Sequence, residues 1–244
     1  VNSAYLPLEL AALVKNLWER LGEAPSAFSR AQPIAVVTSP GSKVGPAGWV
    51  GIVSIGAATL VTAPTEEVAD SLRLALAGLA VSELTNPDRL SARLPIAETR
   101  GPATLAYVSA EQFQPYDDTQ VVRLPVDHPD VARFLSSVPA EDASESGLGA
   151  ITSPAFVLRQ DGLVVAAAGY RTWVNLAGHI SVLTAPALRG RGLARQVASA
   201  ATRAILDEGL LPQWRARPLA SRQVAQHLGF RELGAQLSLR LIDR

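Results

Sequence analysis

An apolar strand at Ile180–Leu183 runs straight into Thr184-Ala185-Pro186-Ala187-Leu188-Arg189-Gly190-Arg191-Gly192-Leu193-Ala194, and a helical pattern follows at once. No other stretch of the chain restricts its fold so strongly. The first N–H groups of a helix lack intrahelical acceptors, and the macrodipole adds partial positive charge there. A glycine-bearing turn at that point lets backbone donors approach an anion with no Cβ in the way. Arg189, Arg191 and Arg195 add charge-assisted donors. The segment therefore predicts a strand–loop–helix unit that cradles a phosphate.

Two familiar phosphate loops fail against it. A P-loop needs four residues between its glycines and then Lys-Ser/Thr, and neither is present. A dinucleotide fingerprint needs a third glycine and an acid near the end of the next strand, where Gln213-Trp214-Arg215 stands instead. The residues do match Arg/Gln-x-x-Gly-x-Gly/Ala, with Pro186 three positions before Arg189. This resembles the acyl-CoA pyrophosphate loop of the GNAT superfamily of N-acetyltransferases. The order after the loop is similar as well. Leu193, Val197, Ala200, Ala201, Ala204 and Ile205 repeat at helical spacing, predicting a helix from about Arg191 to Glu208 that Gly209 stops. A strand over Leu210–Ala216, a helix over Ala220–Leu228, the pair Gly229-Phe230 and a closing strand over Gln236–Ile242 come next. The resemblance covers roughly Thr119 to Arg244.

Upstream, Val121–Leu124 reads as a strand and Pro129–Ser136 as a helix with Asp127 or His128 near its cap. Ala140–Gly149 is acidic and weakly patterned, suiting a mobile helix or loop over a cleft. Ala155–Arg159 and Leu163–Thr172 form a hairpin about Gln160-Asp161-Gly162, and a turn near Asn175 leads into a strand over Ala177–Thr184. The fold expected is α/β, a twisted mixed sheet with helices on both faces. The resemblance implies that its two central strands splay where the cofactor enters.

The first half reads as a separate α/β domain, giving a division into residues 1–118 and 119–244. Leu10, Leu13, Leu17 and Leu21 lie on one face of a helix over Leu6–Leu21, with Trp18 beside them. Ile34–Thr38, Val50–Ser54 and Ala58–Thr62 are short strands, and Thr65 caps a helix to about Ala80. Gly101-Pro102 breaks the chain before a strand over Ala103–Ala110. The order could be a degenerate copy of the C-terminal half, although no second Arg-x-x-Gly-x-Gly occurs there. Gly41-Ser42-Lys43-Val44-Gly45 is expected to be an ordinary exposed loop. A Gly-Pro-Ala strand ahead of such a half resembles bacterial GNAT members with an N-terminal domain of their own.

Composition narrows the function classes. Apolar residues make up 48% of the 244, so the chain is globular, and 22 basic residues balance 22 acidic ones without forming a stripe. That argues against nucleic acid as the main partner. No apolar run is long enough to span a membrane and no signal peptide is read, so a cytoplasmic location is expected. Without cysteine there are no disulfides, thiolate metal sites or acyl-cysteine intermediates. His128, His179 and His227 lack metal-ligand spacing, so no metal is expected. A homodimer is left open.

The resemblance implies acetyl-CoA as co-substrate and a small-molecule or peptide amine as acceptor, attacking the thioester directly. Backbone groups of Val182, Leu183 and Thr184 would pair with the pantetheine arm, and a strand N–H would polarise the carbonyl. Arg189, Gly190, Arg191, Gly192, Leu193, Ala194 and Arg195 would hold the pyrophosphate. Ser221 would bond the cofactor or cap the helix from Arg222 onward. The family's frequent Asn falls on Pro218, its thiolate-protonating Tyr on Ala225 and its Glu base on Gln213. A thiol of pKa about 8.5 is already a tolerable leaving group, and proximity supplies much of the rate. His179 is the replacement candidate for the base and Tyr170 a second catalytic candidate, each weighed against a place in the core. Glu145 could meet the amine or be a solvated charge. Trp173 and Trp214 could line the acceptor pocket or fill the core. Arg215 and Arg217 share one strand face and could meet an acidic acceptor, the cofactor phosphates or surface partners. The rival reading is a non-catalytic acyl-CoA-binding sensor or regulatory module, and a nucleotide-binding enzyme is a third.

Overall fold

The computed structural model describes residues 6–29 and 32–242. The chain runs α1 (Leu6–Leu21), β1 (Ile34–Thr38), β2 (Val50–Ile55), β3 (Ala58–Ala63), α2 (Glu66–Leu76) and α3 (Pro87–Ser91). It continues through β4 (Ile96–Tyr107), β5 (Val122–Leu124), α4 (Pro129–Ser136), α5 (Ala140–Ser146), β6 (Ala155–Gln160) and β7 (Leu163–Trp173). β8 (Ala177–Thr184), α6 (Leu193–Asp207), β9 (Leu211–Ala216), α7 (Leu219–His227) and β10 (Arg231–Leu241) complete it. Two compact units result: Val1–Leu105 with Glu232–Arg244, and Ala106–Arg231. A single boundary near residue 118 does not describe this division. The last strand belongs to the first unit because β10 pairs antiparallel with β2, from Gly234↔Ile55 to Leu239↔Val50.

In the first unit the strand order is β1-β3-β2-β10-β4, with β1 parallel to β3 and β2 antiparallel to both β3 and β10. One face packs Ile52, Val61, Leu237 and Leu239 against Ala69, Leu72 and Leu76 of α2 and Leu90 of α3. Thr65 caps α2 as expected, its side chain accepting from the Val68 N–H. That helix stops at Leu76 rather than near Ala80, because the chain turns at Gly78. α1 buries Leu10, Val14, Leu17, Trp18 and Leu21, whereas Leu13 is 52% exposed. The buried stripe therefore follows i, i+4, i+7, i+8 and i+11. The expected break at Gly101-Pro102 is absent: β4 runs through both residues, and the glycine backs closely onto the Gln236 carbonyl. The loop at Gly41–Gly45 is more than an exposed connection. Val44 is fully buried and its carbonyl accepts from Gln236 Nε2.

The second unit is ordered β9-β8-β7-β6-β5. β5 to β8 form an antiparallel meander, and α6 crosses over to place β9 parallel to β8. Alternation along the strands separates two cores. Tyr170, Ile180, Trp214 and Ala216 pack with Val197, Ala201 and Ile205 of α6 and Ala225 of α7. On the other face Val157, Ala167 and Leu183 pack with Val131 and Phe134 of α4 and with Leu148. Each large apolar side chain so buried contributes about 1.5–3 kcal/mol relative to exposure. His128 caps α4, its Nδ1 accepting from the Asp130 N–H at 3.2 Å. The acidic segment takes the helical alternative as α5, ending at Gly147. Mixed sheets flanked by helices thus match the expected fold class. Among the described residues no helix is long and apolar enough to cross a membrane.

Candidate functional site

β8 and β9 pair only from Ala177↔Leu211 to His179↔Gln213. Beyond that point they diverge into a cleft of about 610 Å³. Ile180 to Thr184 leave a backbone edge on one wall, and Trp214, Arg215 and Ala216 form the other. Residue parity gives the cleft two chemical sides. Ile180, Val182, Trp214 and Ala216 face α6 and make it apolar. Gln213 and Arg215 take the opposite parity, toward α5, which lends Asp142, Glu145 and Ser146 to the lining.

At the wide end lies the glycine loop. Gly190 and Gly192 have φ of 77° and 79°, values that a side chain would strain. Gly192 is the N-cap of α6 and supplies no side-chain acceptor, so the first N–H groups keep their capacity for an external anion. Gly190, Gly192, Leu193, Ala194, Arg195 and Arg189 all line the cleft. Arg195 is held in place by its Nη2 donating to the His227 carbonyl at 2.7 Å and by the Tyr116 ring 4.1 Å away. Its Nε, like Thr184 Oγ1, is buried with no partner among the described residues. Buried polar atoms left this way cost about 1–3 kcal/mol each unless a ligand or water meets them. Both belong to lining residues, so a phosphate-bearing ligand fits the donors present. Arg191 is exposed and outside the lining.

Two ion pairs tie α5 across the opening. Asp142 Oδ2 lies 2.8 Å from Arg189 Nη2. Glu145 takes Arg217 in a two-pronged contact, with Arg217 Nε to Oε1 at 3.1 Å. In the sequence Asp142 is only one acid of the run Glu141-Asp142-Ala143-Ser144-Glu145. The one signal for it is an acid in a segment expected to be a mobile helix or loop over a cleft.

The two catalytic candidates do not meet in the cleft. Tyr170 is 2% exposed and faces α6, where its hydroxyl donates to Glu208 Oε1 at 2.6 Å. Burial first, and then the Glu208 carboxylate, hold its phenol well above the ordinary range. Its parity matches that of Ile180, its cross-strand partner, and it is outside the cleft lining. His179 takes the other parity, stacks on Trp173 with ring centroids 4.3 Å apart, and bonds through Nδ1 to Gln213 Oε1. Burial, followed by the charge of Arg215, depresses its pKa to about 3, although the Gln213 bond opposes this and Arg171 adds to it. A neutral imidazole of that basicity is a poor acceptor for an ammonium proton near neutral pH. His179 is also outside the lining.

Ser221 does line the cleft, but not as a cap. α7 begins at Leu219 with Pro218 as N-cap, and Ser221 Oγ accepts from Trp214 Nε1 at 3.0 Å. That leaves its hydroxyl hydrogen able to donate. Trp214 both fills the core and lines the cleft, meeting Phe230 edge-on at 5.5 Å. Of the three positions where usual groups are missing, Pro218 lines the cleft, Ala225 is in the core, and Gln213 is fully buried. Gln213 Nε2 has no partner among the described residues. Among those residues no cluster of His, Asp and Glu is placed to hold a metal.

Residues 142–235 match the family model for the GNAT acetyltransferases. Over that stretch the chain is similar to this family, and the match covers less than half of the 244 residues. Similar solved structures include a GNAT-family protein of Novosphingobium aromaticivorans, 22% identical over 61% of this chain and 67% of that one, TM-score 0.49. A GNAT-family acetyltransferase of Colwellia psychrerythraea is 13% identical over 74% and 75%, TM-score 0.48. The yncA protein of Salmonella typhimurium, solved with acetyl-CoA, is 18% identical over 51% and 95%, TM-score 0.37. No curated protein matches the chain significantly.

Proposed function

We propose, from the similarity to the GNAT acetyltransferases at residues 142–235, that the cleft between β8 and β9 holds acetyl-CoA and delivers its acetyl group to the amine of a small molecule or peptide. The observation that carries this reading is the end of strand pairing at His179↔Gln213, ahead of a glycine loop flanked by Thr184 Oγ1 and Arg195 Nε, both buried with no partner among the described residues. The pantetheine arm takes the backbone edge of Val182, Leu183 and Thr184 as an added strand would. The pyrophosphate takes Arg189, Gly190, Gly192, Leu193, Ala194 and Arg195, with the α6 N-terminus behind them. Ser221 donates to the cofactor from the opposite wall.

The chemistry is a direct displacement. The neutral amine attacks the thioester carbonyl, a strand N–H at the closed end steadies the oxyanion, the C–N bond forms and the C–S bond breaks. CoA leaves as a thiolate and takes its proton from water. The amine's extra proton also goes to water, because Gln213 is no base and His179 is held neutral at low basicity. Positioning therefore supplies most of the acceleration. The test is a free-thiol assay with acetyl-CoA across an amine panel, alongside melting curves with CoA, ATP and NAD. CoA-selective stabilisation with thiol release supports the reading; preferential stabilisation by ATP or NAD overturns it.

One set of observations favours a second reading, a non-catalytic acyl-CoA sensor. Pro218, Ala225 and Gln213 replace the usual polar groups, and Tyr170 is committed to Glu208. CoA-selective stabilisation without thiol release from any amine would decide for it.

A further inference from the structure

We infer that Tyr116 is a positioning residue of the phosphate site: its ring fixes the Arg195 guanidinium in the place where Nε meets the bound pyrophosphate. The inference rests on the acetyl-CoA reading above and adds to it a residue outside both the cleft lining and the glycine loop.

Tyr116 lies in the irregular segment between β4 and β5, far ahead of Arg195 in the chain. α6 brings the two together. Arg195, Ser199 and Arg203 fall at i, i+4 and i+8 on that helix and form one stripe. Ser199 is fully buried, and its hydroxyl clasps the Tyr116 backbone at two points. Its Oγ accepts from the Tyr116 N–H at 2.9 Å and donates to the Tyr116 carbonyl at 3.1 Å. Farther along the stripe, Arg203 Nη2 lies 3.3 Å from Asp118 Oδ2, and its guanidinium is 6.0 Å from the Phe113 ring.

The segment is also fixed on either side of the clasp. The Gln114 N–H donates to the Leu228 carbonyl at 3.0 Å, and Pro115 locks its own φ. Thr119 folds back on Asp117, its N–H and hydroxyl donating to Oδ1 at 3.1 and 2.8 Å. None of these contacts uses the Tyr116 ring.

The ring is turned to Arg195 instead. Though 37% exposed, it lies with its centroid 4.1 Å from the guanidinium carbon. Its hydroxyl is 3.7 Å from where a Cβ would sit at Gly192. One phenol therefore borders both the last glycine of the loop and its last arginine. A guanidinium on an aromatic face is held by the ring quadrupole. The second anchor is the bond from Arg195 Nη2 to the His227 carbonyl at 2.7 Å.

Between those two anchors the planar group is set before a ligand arrives, with Nε buried and without a partner among the described residues. An arginine free to sample its rotamers would lose that freedom on closing around an anion, and the loss would weaken binding. Asp118 is engaged with Arg203, so it does not draw Arg195 away from the loop. The ring thus acts through Arg195, as preorganisation of a phosphate donor.

Calorimetric titration of CoA into the full chain tests this as a double-mutant cycle over Tyr116→Leu and Arg195→Met, with Tyr116→Phe as the conservative variant. Both clasp bonds go to backbone atoms, so the Tyr116 variants should melt cooperatively. Tyr116→Gln replaces Tyr116→Leu if it does not. Where Arg195→Met binds too weakly for calorimetry, the cycle is read from melting shifts at high CoA. Tyr116→Leu should weaken CoA binding by about 3- to 10-fold, the scale of ordering one long side chain on binding. Tyr116→Phe should stay within about 2-fold of the wild type, because the ring face remains. In the Arg195→Met background, Tyr116→Leu should change binding by less than about 1.5-fold, since the residue it acts through is gone. Equal losses in both backgrounds overturn the inference. So does wild-type affinity in Tyr116→Leu, or a loss in Tyr116→Phe as large as in Tyr116→Leu. In those cases saturable binding by the wild type leaves the acetyl-CoA reading standing. A wild type that does not bind CoA removes that reading, and the role of Tyr116 with it.

Discussion

Asp142 Oδ2 lies 2.8 Å from Arg189 Nη2, so an acid on α5 holds the arginine that opens the glycine loop. A phosphate bound in that loop must share Arg189 with Asp142 or take it away. Both side chains are partly exposed, which limits the pair to about 0.2–1 kcal/mol. Asp142→Asn should therefore tighten CoA binding by about 1.5- to 5-fold at low salt, and the gain should shrink as salt screens the pair. Titration calorimetry at two salt concentrations checks this. Weaker binding in the variant would mean that Asp142 supports the cofactor site instead of competing for it.

Tyr170 and Glu208 give the contrasting case. The phenol is buried on the α6 side and donates at 2.6 Å to a carboxylate just past the end of that helix. Tyr170→Phe should lower unfolding free energy by about 1–2 kcal/mol, the usual scale of such a bond. CoA binding and thiol release should be unchanged at temperatures where the variant is folded. Urea unfolding paired with the thiol assay separates the outcomes, since a catalytic tyrosine would lose rate without losing stability.

His179 carries a pH signature. Its folded-state pKa of about 3 lies below the ordinary histidine value, so the unfolded chain binds a proton that the folded chain refuses. Stability from this group is complete at pH 7 and falls as pH drops through about 6.5 toward 3. Urea midpoints between pH 7 and pH 4.5 should therefore fall less steeply for His179→Gln than for the wild type. Parallel slopes would show that the imidazole is not held neutral.

Gly229 is fixed by its backbone. Its φ is 89°, and a Cβ there would lie 2.1 Å from the Gln112 carbonyl oxygen. Neighbouring Gln114 N–H donates to the Leu228 carbonyl at 3.0 Å, so the two segments cannot simply part. Gly229→Ala should cost about 2–4 kcal/mol, in the range of backbone strain plus a lost packing contact. Chemical denaturation measures it, and a cost near zero would contradict the close approach.

Local chemistry made much of this legible in advance. Thr65 and His128 cap their helices because a side-chain acceptor beside a helix start acts over three residues. The strand over Ala177–Thr184 and the two left-handed glycines after it depend on near neighbours as well. What escaped depends on distant partners. Leu13 has the right composition for the α1 core, but the sheet beneath that helix selects Val14 instead. The pairing of β10 with β2 joins residues far apart in the chain and moves the domain boundary. His179 and Tyr170 were attractive because polar side chains on a strand near the loop are few. Which face of that strand meets the cleft is set by where α5 and α6 pack, and alternation alone does not say which parity each helix covers. The same gap hid Asp142, whose meaning appears only once α5 lies over Arg189.

If the loop from Arg189 to Arg195 holds the CoA pyrophosphate, an acid placed at its last glycine must remove binding. Titration of acetyl-CoA into the wild type and into Gly192→Glu tests it most directly, because Gly192 is exposed, at the α6 N-cap and in a left-handed conformation. A glutamate there adds a negative charge and about 1 kcal/mol of backbone strain, so the fold should survive while the anion site does not. Saturable binding to the wild type is expected, with a loss of about 100-fold or more in the variant, the scale of charge repulsion joined to lost backbone donors. Binding of equal strength to both proteins would contradict it.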